Sequence, residues 1–290
     1  MSPVAAFLAA EMAEPVDPRV TEMARAIAAQ YGNASRAVLF YGSCLRESQL
    51  DGLMLDFYLI VSSYEAAWPN SWLARANKMI PPNVFPFAQE GLAAKYAVLS
   101  EADFAALNGV EASTVSVWAR FSQPVRLVWQ ADEAARETVQ SAMEAAPATV
   151  FALAAPLSPS ADPLDVWRTG YARTYDCELR AERSGRSGSI IDSDPARYAA
   201  LGALIPPPTV PLSAAQAESR WASLRRHGKL MSVVRLAKAS LTFAGGVDYL
   251  VWKINRHAGT QIQVTPWQRR WPLLAAITLV PRLLKQGAIK

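Results

Sequence analysis

A chain of 290 residues, 51% of them apolar, has the length for two ordinary domains or one large one and the side chains for a real core. Two isolated cysteines, Cys44 and Cys177, exclude a disulfide framework or zinc cluster and fit a reduced, cytosolic setting, and two distant histidines, His227 and His257, argue against a His-based metal site or classical triad. The net charge of +4 is uneven: residues 220–290 carry thirteen Lys and Arg against Asp248 alone, residues 1–219 carry 16 bases and 24 acids, and the basic part implies an anionic partner or a solvated basic helix surface.

Along the chain, Val4 to Ala10 is a short apolar run with no basic residue before it. It does not read as a secretory signal and is too short to span a bilayer. Val38–Tyr41 predicts a strand that ends at Gly42-Ser43, where glycine permits a tight turn. Leu53–Val61 predicts a second strand, rich in bulky apolar residues. Tyr64–Ile80 has helical character interrupted by Pro69, and Asn83–Phe87 and Ala94–Leu99 are two further strands. Ser100 reads as a helix N-cap with Glu101 and Asp103 in the favourable first turn. Pro124–Gln130 is the last expected strand, and Asp132–Ala155 is a long alanine-rich helix.

The remainder reads as almost all helix. Asp162-Pro163 pairs an N-cap with proline at the first helical position and opens a helix to about Arg183. Ser184–Ser189 is a Gly/Ser/Arg loop, and Pro206 through Pro211 is a stiff connector. Ser213 to Gln216 resembles a capping box, and further helices are expected over Lys229–Phe243 and Val247–His257. The expected class is α+β: a mixed-sheet domain over residues 1–160, then a helical domain over residues 161–290.

The chemistry concentrates in Tyr41-Gly-Ser-Cys-Leu-Arg-Glu47 and Leu53-Met-Leu-Asp-Phe-Tyr-Leu-Ile-Val61. A strand, a Gly-Ser turn and a second strand bearing an acid open the polymerase-β-type nucleotidyltransferase fold. Gly42 lets backbone N–H groups approach a triphosphate, and Ser43 can donate a hydrogen bond to it. Asp56 is the hard oxygen ligand that magnesium prefers. Strand alternation puts Asp56, Tyr58 and Ile60 on one face and Leu55, Phe57 and Leu59 on the other. A lone acid in so apolar a strand needs an ion or a partner, and an exposed edge or an arginine pair are the plain alternatives. The second acid of the usual signature falls at Tyr58, so Asp51 or Glu47 is the candidate second metal ligand.

These residues resemble the mitochondrial-type phosphatidate cytidylyltransferases, or CDP-diacylglycerol synthases, over about residues 37–130. Tyr41-Gly42-Ser43 and Leu55-Asp56-Phe57-Tyr58-Leu59-Ile60-Val61 are similar to that family's opening motifs, which carry a single acid. Asn83-Val84, Lys95-Tyr96-Ala97-Val98 and the stretch from Trp118 to Val125 follow in the family's order. The family's glycine after the turn serine is Cys44 here, and its Trp-His pair is absent, with Trp68-Pro69 in that neighbourhood. The resemblance implies a magnesium-dependent enzyme, peripheral to the cytoplasmic face of a membrane, that joins CTP to phosphatidic acid and releases pyrophosphate. It implies that Gly42, Ser43 and Lys95 bind the triphosphate, that Asp56 holds the metal, and that Arg120 stabilises charge on the leaving pyrophosphate. An exposed strand lysine and a salt bridge to the acidic part of the chain are the plain alternatives for Lys95 and Arg120.

A lipid substrate requires contact with an anionic membrane surface. Trp271–Leu284 is a dense apolar run with Arg269 and Arg270 before it and Arg282, Lys285 and Lys290 in or after it. Its length falls short of the roughly 20 residues a span needs, and its flanks suit the interface; a core helix is the rival reading. Arg235 and Lys238, spaced i, i+3, share a helix face, and Lys253 and Arg256 have the same spacing. Either pair can receive a lipid phosphate or form a solvated basic face. Trp167, Tyr171 and Tyr175 recur at helical spacing and read as core. No nucleic-acid motif appears, so nucleic acid is not an expected partner. A nucleotidyltransferase acting on a small molecule or protein, or an inactive membrane-bound scaffold, are the competing functions.

Overall fold

The structure is a computed structural model that describes residues 1–46, 50–178, 190–242 and 265–267. Five strands form one mixed sheet. They are β1 (Ser35–Tyr41), β2 (Met54–Val61), β3 (Asn83–Gln89), β4 (Leu92–Ser100) and β5 (Val125–Gln130), in the order β3-β4-β2-β1-β5. β2 pairs antiparallel with β1 and parallel with β4, so it is the central strand. Its residues from Phe57 to Val61 are all buried, as a strand covered on both faces requires.

The alternation expected for β2 is observed. Tyr58 and Ile60 enter a hydrophobic cluster on one face of the sheet, and Leu55, Phe57 and Leu59 enter a second cluster on the other. The second cluster is closed by α2 (Pro18–Ala29), which contributes Val20, Met23 and Ile27. The first takes in α1 (Pro3–Met12), whose Val4, Leu8 and Met12 are buried. The early apolar run is therefore part of the core.

The short helices α3 (Tyr64–Ala67) and α4 (Trp72–Met79) flank the expected break at Pro69. α5 (Glu101–Asn108) starts as predicted, with the Ser100 hydroxyl accepting from the Asp103 N–H. α6 (Trp118–Phe121) precedes β5, and α7 (Glu133–Ala154) is the long alanine-rich helix, capped by Asp132.

Beyond the sheet come α8 (Pro163–Cys177), α9 (Pro195–Leu204) and α10 (Ala214–Thr242). Asp162 caps α8 through the Leu164 N–H, and Ser213 and Gln216 exchange the reciprocal bonds of a capping box. Trp167 and Trp221 anchor these helices: their indole N–H groups donate to the carbonyls of Tyr198 and Leu153, both at 2.9 Å. The same hydrophobic cluster contains Leu39 and Trp118 from before position 160 and Trp167, Tyr171 and Trp221 from after it.

Two expectations are corrected. α8 ends at Cys177 rather than continuing towards Arg183, and α10 runs unbroken through the expected boundary near Lys229. The Ser184–Ser189 loop, the Val247–His257 helix and the Trp271–Leu284 segment lie outside the described residues. Among the described residues, no helix is long and apolar enough to cross a membrane.

Candidate active site

The site begins where β1 ends. Gly42 has φ +97°, a conformation that side chains disfavour, and its carbonyl accepts from the Leu45 N–H at 3.2 Å to close a 3₁₀ turn over Ser43–Arg46. Ser43 is exposed at the start of that turn. Asp56 faces the turn because its strand neighbour across β1 is Tyr41. A Cβ placed on Gly42 would stand 3.4 Å from Asp56 Oδ2. The turn and the carboxylate are therefore contiguous.

On the other side of Asp56, the parallel register puts Lys95 directly opposite it on β4. Lys95 Nζ lies 3.0 Å from Asp56 Oδ1, with both side chains about three-quarters covered. This pair answers the cost of placing a lone acid in an apolar strand. Lys95 is a site-facing cation, not a bystander on an exposed strand: it lines a cavity of about 330 Å³ beside the sheet, to which Asp56 is linked through it.

Tyr41, Tyr58 and Arg120 line the same cavity, as do Glu178, Arg235 and Lys238. Arg120, from the last turn of α6, donates a hydrogen bond to the Ser116 carbonyl and lies 3.9 Å from Glu178 Oε1. Burial opposes its charge, but Glu178, Tyr58, Tyr41 and Asp56 outweigh that and hold its pKa above the ordinary arginine value. Its carboxylate partner, at the end of α8, lies within the net-acidic residues 1–219 but beyond the front domain of residues 1–160 that one reading expected to supply it. The phenols of Tyr41 and Tyr58 are pushed up, chiefly by burial.

α10 closes the cavity. Arg235 donates to the Pro81 carbonyl at 2.8 Å, to Ser116 Oγ at 2.9 Å and to Thr114 Oγ1 at 3.4 Å. Lys238 donates to the Ile80 carbonyl. The reading of these two as a solvated basic face is corrected: their helix face turns inward, and Lys238 is 7% exposed. Burial, with Arg235 next to it, brings the Lys238 pKa down to about 7. Burial also lowers that of Arg235.

Asp51, the expected second ligand, is exposed and forms an ion pair with Arg19 at 3.2 Å. Glu47, Lys253 and Arg256 fall outside the described residues. Among the described residues, no three His, Cys, Asp or Glu side chains group as a metal cage. One carboxylate suits a magnesium ion that arrives with phosphate ligands of its own, because that ion binds through one or two carboxylates plus substrate oxygens and water.

Sequence reasoning missed Glu178, Thr114 and Ser116. Glu178 carried no signal in the sequence, where the helix was expected to run on to about Arg183; its place directly after the last residue of α8 is visible only in the structure. The other two are ordinary loop residues until folding places them beside Arg235.

No protein-family model matches the chain, and no curated protein matches it. Among solved structures, a nucleotidyltransferase-like protein from Exiguobacterium sibiricum 255-15 is similar at 11% identity and a TM-score of 0.30, covering 92% of each chain. A likeness that distant carries no argument about this site.

Proposed function

We propose that the chain is a nucleotidyltransferase, and more particularly one that transfers the cytidylyl group of CTP to phosphatidic acid, forming CDP-diacylglycerol and pyrophosphate. The observation that carries the reading is the contiguity of the positive-φ turn at Gly42, the Asp56 carboxylate and the Lys95 ammonium. Nucleotidyl transfer needs backbone donors for a triphosphate, an oxygen ligand for its metal and cations for charge that develops on the leaving group.

Each residue then has a role. The Gly42-Ser43 turn and the Ser43 hydroxyl hold phosphate oxygens. Asp56 is the residue that would hold the magnesium accompanying CTP, an ion that supplies charge neutralisation along the phosphates. Lys95 can exchange its contact with Asp56 for a phosphate oxygen. Arg120 stabilises negative charge on the departing pyrophosphate. Among the described residues, the cavity and its rim hold the cations Lys95, Arg120 and Arg235, with Lys238 charged below about pH 7, against the carboxylates of Glu178 and Asp56. That excess favours an anionic ligand. The acceptor phosphate is itself an anionic nucleophile and needs little help from a general base, which suits a cavity whose described lining holds no histidine.

Arg235 and Lys238 are the described candidates for the lipid phosphate. The basic, apolar stretch 269–290 is the candidate for contact with the cytoplasmic face of a membrane, where each basic residue adds about 1 kcal/mol of attraction to an anionic surface. Incubation with labelled CTP, magnesium and phosphatidic acid vesicles tests the reading: a lipid-soluble cytidine product is expected, and Asp56→Ala abolishes it. A labelled water-soluble product instead would assign the same chemistry to a small molecule or protein. Vesicle flotation that persists without residues 269–290 would remove that segment from the account.

A further inference from the structure

Glu178 is the one described residue of the cavity lining that brings a negative charge among its cations. Its carboxylate is a close electrostatic neighbour of Arg120, Arg235 and Tyr58. Its side chain is only 11% exposed, and its Oε1 stands 3.9 Å from Arg120 Nη1, beyond hydrogen-bond length. The hydrogen bond from that same Nη1 goes to the Ser116 carbonyl. Arg120 is thus positioned by the Ser116 carbonyl and by Tyr41 while facing a carboxylate across a short gap.

The location of Glu178 is costly in itself. It follows the last residue of α8, where helix carbonyls already concentrate negative charge. It is also fixed there, because α10 presses on the preceding residue: a Cβ at Gly228 would come within 2.3 Å of the Cys177 carbonyl oxygen. A carboxylate held at an unfavourable helix end, among cations that line a cavity, occupies the electrostatic position of a bound oxyanion.

We propose that Glu178 is a specificity-determining residue of this cavity, an internal counter-anion that takes the place of a ligand oxyanion beside Arg120 and lowers the affinity for phosphate groups. The proposal deepens the nucleotidyltransferase reading and rests on its assignment of the cavity to phosphate binding. By neutralising one cation while the cavity is empty, Glu178 limits the retention of pyrophosphate after transfer. It also discriminates against ligands of low charge, which cannot compete with a carboxylate already in place.

Calorimetric titration with inorganic pyrophosphate tests it on the full chain. Glu178→Gln keeps the shape and removes the charge, and it is expected to bind pyrophosphate at least about tenfold more tightly than wild type. Glu178→Asp keeps the charge and is expected to stay within about threefold of wild type. Should the Gln variant not fold, Glu178→Ala carries the same expectation of tighter binding. Equal or weaker binding in the charge-removed variant, or no binding by any form, overturns the proposal; a purely structural glutamate gives such a result. Tighter pyrophosphate binding without turnover of CTP keeps Glu178 and discards the activity. CTP turnover by wild type without the tightening discards Glu178 alone.

Discussion

Gly228→Ala separates two opposing effects whose sizes decide the outcome. Gly228 lies inside α10, where replacing glycine by alanine in an open helix is worth about 1 kcal/mol of added stability. Here the new Cβ would meet the backbone oxygen of Cys177 at 2.3 Å. Ordinary carbon–oxygen contacts begin near 3.3 Å, so α10 must retreat from α8 by about 1 Å. Over-packing of this kind costs about 1–3 kcal/mol, and the upper part of that range applies because a backbone carbonyl cannot rotate aside. The net expectation is a loss of about 1–2 kcal/mol, read from denaturant unfolding with tryptophan fluorescence. Pyrophosphate affinity should fall with it, since Arg235 and Lys238 ride on the displaced helix. A variant as stable as wild type would refute the close approach of the two helices, and with it the placement of the cavity's cationic wall.

Lys238→Met should stabilise the protein at neutral pH. The Lys238 pKa falls from 10.5 unfolded to about 7 folded, so the unfolded state binds the extra proton between those values. Wild-type stability therefore rises as pH increases from 7 to 10.5, and the penalty is full below 7, with a ceiling of about 5 kcal/mol. Unfolding at several pH values should show the advantage of the Met variant shrinking as pH rises; a constant difference would contradict the buried-ammonium account. Glu11→Ala should cost about 3–5 kcal/mol, because it strands the guanidinium of Arg197, which is 8% exposed and donates to both Glu11 oxygens. A melting temperature unchanged from wild type would show that this link between α1 and α9 contributes nothing.

Much of the fold was legible in the sequence, and the reasons are local. Gly42, Ser100, Asp162-Pro163 and the Ser213–Gln216 box are signals whose chemistry is complete within a few residues, and each appears where it was expected. The facing of Asp56 and Tyr58 followed from strand alternation alone. α10 was harder: a separate helix was expected from Lys229, and only the approach of α8 explains the glycine at 228 inside a continuous helix. The inward face of Arg235 and Lys238 was hidden for a similar reason. Paired cations on a helix suggest solvent until the Ile80 and Pro81 carbonyls arrive from a distant segment to receive them. The Asp56–Lys95 contact needed the parallel register of β2 with β4, which no local pattern specifies. Glu178 depended on where α8 stops, a boundary the apolar periodicity of Trp167 and Tyr171 does not mark.

The proposed activity requires a triphosphate gripped at the Gly42 turn and a metal held by Asp56. Titration of CTP into wild type and Asp56→Asn, with and without magnesium, measures this most directly. Wild type should bind CTP in a magnesium-dependent manner, and the Asn variant should lose at least about tenfold in affinity while keeping its unfolding midpoint. Equal magnesium-dependent affinity in the two proteins would place the metal on some other group and contradict the site described.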